Sequence, residues 1–159
     1  MRKLIAVLCV VAMMMVMAVP AFANPSVDVP VIVKTKGVVV KPLDADDPAK
    51  DIADEGAKNA VEAVNGEGFN TPAEVGKLLD ATEEQLAELE GYSFSSQFNT
   101  IDAPEFPTDV EFDGTDENTK VMLINPESGE LAIISANDDG TYTIPFAGIF
   151  ALMDPTPEA

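Results

Sequence analysis

Histidine and tryptophan are absent from the sequence, and there is a single cysteine, Cys9. Without histidine the protein lacks the usual general base and the commonest transition-metal ligand, and without paired thiols it lacks the soft ligands of zinc sites. One cysteine cannot close an internal disulfide, so the fold must rest on burial alone. Positive charge is scarce as well: nine basic residues face 28 acidic ones, a formal charge of −19. Nucleic acids and anionic membrane surfaces are held by Lys and Arg, so neither is an expected partner. Self-repulsion of this size favours a soluble monomer and draws cations toward the surface. Apolar residues are plentiful at 47%, with 23% charged, which is a globular composition and not a disordered one.

The one long apolar run lies at the amino end. Met1-Arg2-Lys3 precedes an uncharged stretch from Leu4 to Val19, followed by Pro20 and Ala21-Phe22-Ala23. A positive start, an apolar middle and small residues at −3 and −1 of a cut predict a signal peptide over 1–23, with Ala21 and Ala23 flanking the cleavage that leaves Asn24 first. The run falls short of the roughly 20 residues a spanning helix needs, which argues against a retained anchor. Cys9 follows Leu8 in the middle of the run, so it is not placed for lipidation and leaves with the signal. Removing Arg2 and Lys3 from the nine basic residues leaves seven lysines against 28 acids, a charge of −21 for residues 24–159. The expectation is a secreted, extracellular protein with no membrane attachment after cleavage and no cofactor.

Beyond the signal the hydrophobic period changes twice. Val27, Val29, Val31 and Val33 alternate with other residues and lead through Gly37, a bend or bulge, to Val38-Val39-Val40, which predicts a strand over 27–40 that Pro30 either confines to an edge or delays to near Val31. Lys34, Lys36 and Lys41 give this edge a basic corner, which could dock a partner but is read first as protection against strand pairing. Ile52, Ala53, Ala57, Ala60, Val61 and Val64 then fall at helical spacing, predicting a helix over 48–64 that starts at Asp47-Pro48 and stops at Asn65-Gly66. Thr71-Pro72 with Glu74 predicts a second helix ending near Asp80, and Thr82 with Gln85 has the spacing of a capping box for a third over 83–90. From Tyr92 the period returns to two. Tyr92, Phe94, Ser96 and Phe98 share a face, Val110 and Phe112 form another strand, and Lys120–Ile124 and Leu131–Ser135 flank the turn at 125–129. Asn137-Asp138-Asp139-Gly140 turns the backbone into Tyr142, Ile144 and Phe146, and Gly148 breaks the last strand before Phe150 and Leu152. The fold class is therefore α+β: an N-terminal strand, two or three short helices, then an antiparallel β meander forming a small sheet or a sandwich. Residues 24–91 carry the strand and helices, 92–153 the β module and 154–159 a disordered tail, with 24–153 one compact unit.

The β region beginning Pro107-Thr-Asp-Val110-Glu-Phe112, through Lys120–Ile124 and Gly140-Thr-Tyr142-Thr-Ile144 to Gly148-Ile-Phe150-Ala-Leu152, resembles a carboxyl-terminal immunoglobulin-like β module of uncharacterised exported proteins from gut Firmicutes and Actinobacteria. The resemblance spans 92–153 and rests on spacing and strand character. It implies export and an immunoglobulin-like or related β architecture, and it carries over no functional residue.

Chemistry is sparse. The densest acidic loop, Asp113-Gly114-Thr115-Asp116-Glu117-Asn118, offers oxygen ligands for calcium, but Asp, Gly, Thr and Asn are equally the ordinary residues of turns. Neither it nor Asp44-Ala-Asp46-Asp47 matches a helix-flanked calcium loop. A glycosidase needs two carboxylates about 5 to 10 Å apart across a cleft, and with 28 acids to choose from no pair stands out. No serine lies in a recognisable nucleophile elbow. Tyr92, Tyr142 and the phenylalanines alternate with Val and Leu, which marks most of them as core and not as sugar platforms. The sequence thus assigns no catalytic, cofactor-binding or metal residue. It points to a non-catalytic extracellular or envelope-associated interaction module whose partner is a protein or a glycan, with a calcium-stabilised adhesion module and a carboxylate-based hydrolase as alternatives.

Overall fold

A computed structural model describes residues 31–43, 50–67 and 71–157. The signal-peptide residues Ala21, Ala23 and Asn24, the first part of the predicted N-terminal strand and the Asp44–Asp47 cluster lie outside the described residues.

Three seven-residue helices form the helical region, each started by a side chain that satisfies free backbone N–H groups. Helix α1 (Glu55–Val61) is capped by Asp54, whose Oδ1 accepts from the Ala57 N–H at 2.9 Å. The predicted start at Asp47-Pro48 is corrected: the backbone at Lys50–Asp54 is not helical. The Ala53 and Asp54 N–H groups both donate to the Pro126 carbonyl at 3.1 Å, which holds them out of a helical ladder. α1 then runs through the predicted Asn65-Gly66 stop as a π-helical turn, Glu62–Glu67. Helix α3 (Glu83–Leu89) carries the predicted capping box, and in helix α2 (Pro72–Leu78) the predicted Thr71 cap and Glu74 prove to form one as well. Thr71 Oγ1 accepts from Glu74 N at 3.3 Å while Glu74 Oε2 accepts from Thr71 N at 3.0 Å, and Thr82 and Gln85 repeat the exchange. Helices this short are marginal alone, so their stability comes from burying Ala57, Ala60, Val61, Val75 and Leu89 against a sheet.

The strands are β1 (Val39–Pro42), β2 (Tyr92–Phe94), β3 (Asn99–Asp102), β4 (Thr108–Val110), β5 (Lys120–Ile124), β6 (Leu131–Ser135), β7 (Tyr142–Ile144) and β8 (Gly148–Pro155). Six of them make an antiparallel sheet in the order β1-β3-β8-β5-β6, with β2 pairing the far half of β8. β4 and β7 make a second, two-stranded sheet, extended by a bridge from Val33 to Phe112. Met122, Ile124, Ile149, Ala151 and Met153 face the helices, whereas Val121, Leu123, Phe150 and Leu152 face the second sheet. The result is three layers: helices, the larger sheet and the smaller sheet. β5 and β8 are buried on both faces, which is why Val121–Ile124 and Ile149–Met153 read as unbroken apolar runs.

The α+β class stands, and several boundaries shift. The bend expected at Gly37 (φ 87°) is present, and it divides the N-terminal stretch between two sheets: Val33 bridges to the smaller one while β1 pairs β3 in the larger one. Tyr92, Phe94, Ser96 and Phe98 are not one strand, because β2 ends at Phe94 and the backbone bends before β3. Ser96 spans that bend: its hydroxyl accepts from the Leu152 N–H at 2.8 Å and donates to the Gln97 carbonyl at 2.9 Å, filling the gap between the β2 and β3 ladders on β8. Gly148 begins β8 and does not break it, since a Cβ there would lie 2.5 Å from the Ile124 carbonyl oxygen. The disordered tail predicted over 154–159 is corrected at its start: Asp154 and Pro155 pair with Ser93 and Tyr92, and the Thr156 N–H donates to the Gly91 carbonyl at 2.7 Å. No helix among the described residues is long and apolar enough to cross a membrane.

Candidate functional site

The acidic loop at 113–118 is organised by its own backbone. Asp116 Oδ1 accepts from the Asn118 N–H at 2.7 Å and the Thr119 N–H at 3.1 Å, the arrangement of an Asx turn. Thr119, 2% exposed, donates its hydroxyl to Asp154 Oδ1 at 2.6 Å, and the Tyr142 hydroxyl bridges the Asp116 and Thr119 carbonyls at 3.1 and 2.9 Å. Burial raises the Tyr142 phenol above its ordinary value, and the Asp116 and Asp154 charges add to the shift while hydrogen bonds with Thr115 and Thr119 oppose it. Asp113 instead turns toward Lys34, 3.6 Å from its ammonium, which also pairs with Glu111 at 3.3 Å. Those contacts, the Glu111 hydrogen bond foremost, raise the Lys34 pKa. Asp113, Asp116 and Glu117 are thus not brought together, and no group of three metal-ligating side chains converges among the described residues.

The Asn137–Gly140 segment is likewise a turn. Asp139 Oδ1 accepts from the Thr141 hydroxyl at 2.6 Å and its N–H at 3.0 Å, and these bonds lower the Asp139 carboxyl below its usual value. The buried aromatic rings pack on one another. Phe112 stacks on Phe150 with centroids 5.2 Å apart and tilts against Tyr142 at 5.8 Å, while Phe94 meets Phe98 at 5.7 Å on the helical side. Tyr92, half-buried, lies under the Lys120 ammonium, 4.8 Å from the ring centroid.

A different region has the shape of a recognition site. A cleft of about 700 Å³ opens between β1, β3, the start of β8, the turn after β5 and the backbone at Asp51-Ile52 ahead of α1. Its apolar surface comes from Val39, Ile52 and Ile149, with Val39 48% exposed. Around it stand Lys41, Asp51, Asp102 and Glu127, all exposed, with no ion pair among the described residues. The turn that forms one wall is fixed. Asn125 Oδ1 accepts from the Glu127 and Ser128 N–H groups, and the Pro126 carbonyl takes the two N–H groups ahead of α1. Thr100 holds β3 to β1 by donating its hydroxyl to the Lys41 carbonyl at 3.3 Å. Among the described residues, the cleft is lined by no serine, cysteine or tyrosine that could act as a nucleophile.

None of these residues stands out in the sequence. Lys41 reads there chiefly as edge protection, with partner docking at the lysine corner as the alternative, and Ile52 reads as part of a helical face, because the cleft arises from parts distant in sequence. Compared with models of known families, with curated proteins and with solved structures, the protein matches none of them.

Proposed function

We propose that the protein is a secreted, non-catalytic recognition module that receives an extended peptide segment of another extracellular protein at β1 and the adjoining cleft. The observation that carries this reading is the cleft itself: an apolar floor ringed by Lys41 and three carboxylates that form no ion pair among the described residues, beside a strand at the edge of the described sheet. Apolar burial at the centre with a polar rim is the general form of a protein interface. An exposed sheet edge adds backbone hydrogen bonds for an incoming strand. A glycan is the lesser choice, because among the described residues no aromatic ring lines the cleft to stack on a sugar face. Export rests on the amino-terminal pattern ending in Ala21-Phe22-Ala23, and the exported modules that residues 92–153 resemble favour the same setting.

The test is selection of peptides by display on the immobilised protein, followed by titration of a selected peptide into ¹⁵N-labelled protein. The reading expects amide shifts centred on Val39, Lys41, Thr100 and Ile149, and loss of binding in Ala147→Arg, which places a long side chain at the wall of the cleft. Shifts confined to another surface, or undiminished binding by the variant, refute it. Amino-terminal sequencing of the protein from culture medium tests export, and a sequence starting at Asn24 is the expected result.

A further inference from the structure

Asn65 in the π-helical turn is the one asparagine in the sequence followed by glycine. Its carboxamide is held on both sides by a single residue: Nδ2 donates to the Phe98 carbonyl at 3.2 Å, and Oδ1 accepts from the Phe98 N–H at 2.8 Å. The amide therefore imitates a neighbouring strand and satisfies both backbone groups of a residue that is 1% exposed. Asn-Gly is also the sequence in which the following backbone nitrogen most readily attacks the asparagine Cγ, because glycine has no Cβ to impede the approach.

We propose that Asn65 is a site of spontaneous deamidation, gated by opening of the contact between the helical layer and the sheet. In the closed state the two bonds to Phe98 hold the Asn65 carboxamide away from the geometry of attack. Once the contact opens, the Gly66 nitrogen bonds to Asn65 Cγ, the Cγ–Nδ2 bond breaks, and Nδ2 leaves as ammonia carrying the Gly66 proton. Water then opens the succinimide to aspartate or isoaspartate. The aspartate still accepts from the Phe98 N–H but has no donor for the Phe98 carbonyl, so like partial charges face each other where a hydrogen bond had been. Isoaspartate also inserts a methylene into the backbone of the turn. Either product weakens the contact whose opening produced it, and the change is irreversible.

The experiment incubates the purified protein at about pH 8 and about 37 °C, folded and in concentrated urea, and follows the one-dalton mass gain by peptide mapping. The expected result is a gain at Asn65 in urea that is about tenfold or more slower in the folded protein, because only the open fraction reacts. Gly66→Ala should suppress it in urea. A Cβ at residue 66 meets nothing within 4 Å, so this variant keeps the fold. Asn65→Asp, the product made directly, should melt below the wild type and lose hydrogen-exchange protection at the Phe98 amide. Equal rates in the folded and unfolded protein overturn the gating, no gain at Asn65 in urea overturns the site, and wild-type stability of Asn65→Asp overturns the consequence.

Discussion

Gly129 is packed directly against Asp54: a Cβ at residue 129 would lie 2.5 Å from Asp54 Oδ1, the same oxygen that caps α1. The turn after β5 and the start of α1 are thereby one structural unit, joined again through the Pro126 carbonyl. Gly129 also has φ 75°, as do Gly114 and Gly140 within a few degrees, but those two have open space around them. Gly114→Ala and Gly140→Ala should each cost only the left-handed backbone penalty, about 1–2 kcal/mol. Gly129→Ala should cost more, about 3 kcal/mol, because the clash adds to it. Asp54→Ala alone should cost about 1 kcal/mol as a lost cap. The Asp54→Ala/Gly129→Ala double variant should be more stable than the sum of its parts implies, and urea denaturation of the wild type, both single variants and the double measures the coupling.

Ser96 supplies the single hydrogen bond that β8 lacks between its two neighbours. Ser96→Ala leaves the buried Leu152 N–H without a partner, a loss of about 1–3 kcal/mol. The expected readout is a lower urea midpoint with an unchanged slope, together with faster exchange of the Leu152 amide.

Tyr142 is fully buried, and its phenol is raised above the usual value near 10 chiefly by that burial. In the unfolded protein the phenol ionises at its ordinary value, while in the folded protein it stays protonated to higher pH. The folded state therefore holds the proton more tightly, and the stabilisation is complete below about pH 10 and declines as pH rises toward the folded value. Tyr142→Phe should lose about 1 kcal/mol at neutral pH from the missing bonds to Asp116 and Thr119. It should also flatten the alkaline fall in stability, which urea midpoints measured from about pH 8 to about pH 11.5 would show.

Asp116 spends its carboxylate on the Asn118 and Thr119 N–H groups. Thermal melts in EDTA, calcium and magnesium at matched ionic strength should coincide if this loop is a turn and not a site, because an ion held there would stabilise by mass action. Asp116→Ala should lower the midpoint equally in all three. A calcium-specific rise that Asp116→Ala abolishes would restore the adhesion alternative.

Local signals are legible in the sequence because their energetics are local. The Thr71–Glu74 and Thr82–Gln85 exchanges close within one helical turn, so their spacing is enough to place α2 and α3. The β5–β6 pair is equally plain, with its strands predicted residue for residue around the 125–129 turn. The α+β class follows from the switch in hydrophobic period. Tertiary structure decides what depends on distant partners. Asp54 caps α1 because Pro126, far along the sequence, takes the N–H groups that would otherwise extend the helix. β8 lies at the centre of the larger sheet although it comes last in sequence, a position that an apolar run cannot encode because such a run only demands burial on both faces. Asn65 becomes a substitute strand through Phe98, 33 residues away. The cleft likewise joins residues of β1, β3, β8, the turn after β5 and the backbone ahead of α1, which share a surface in space and no pattern in the sequence.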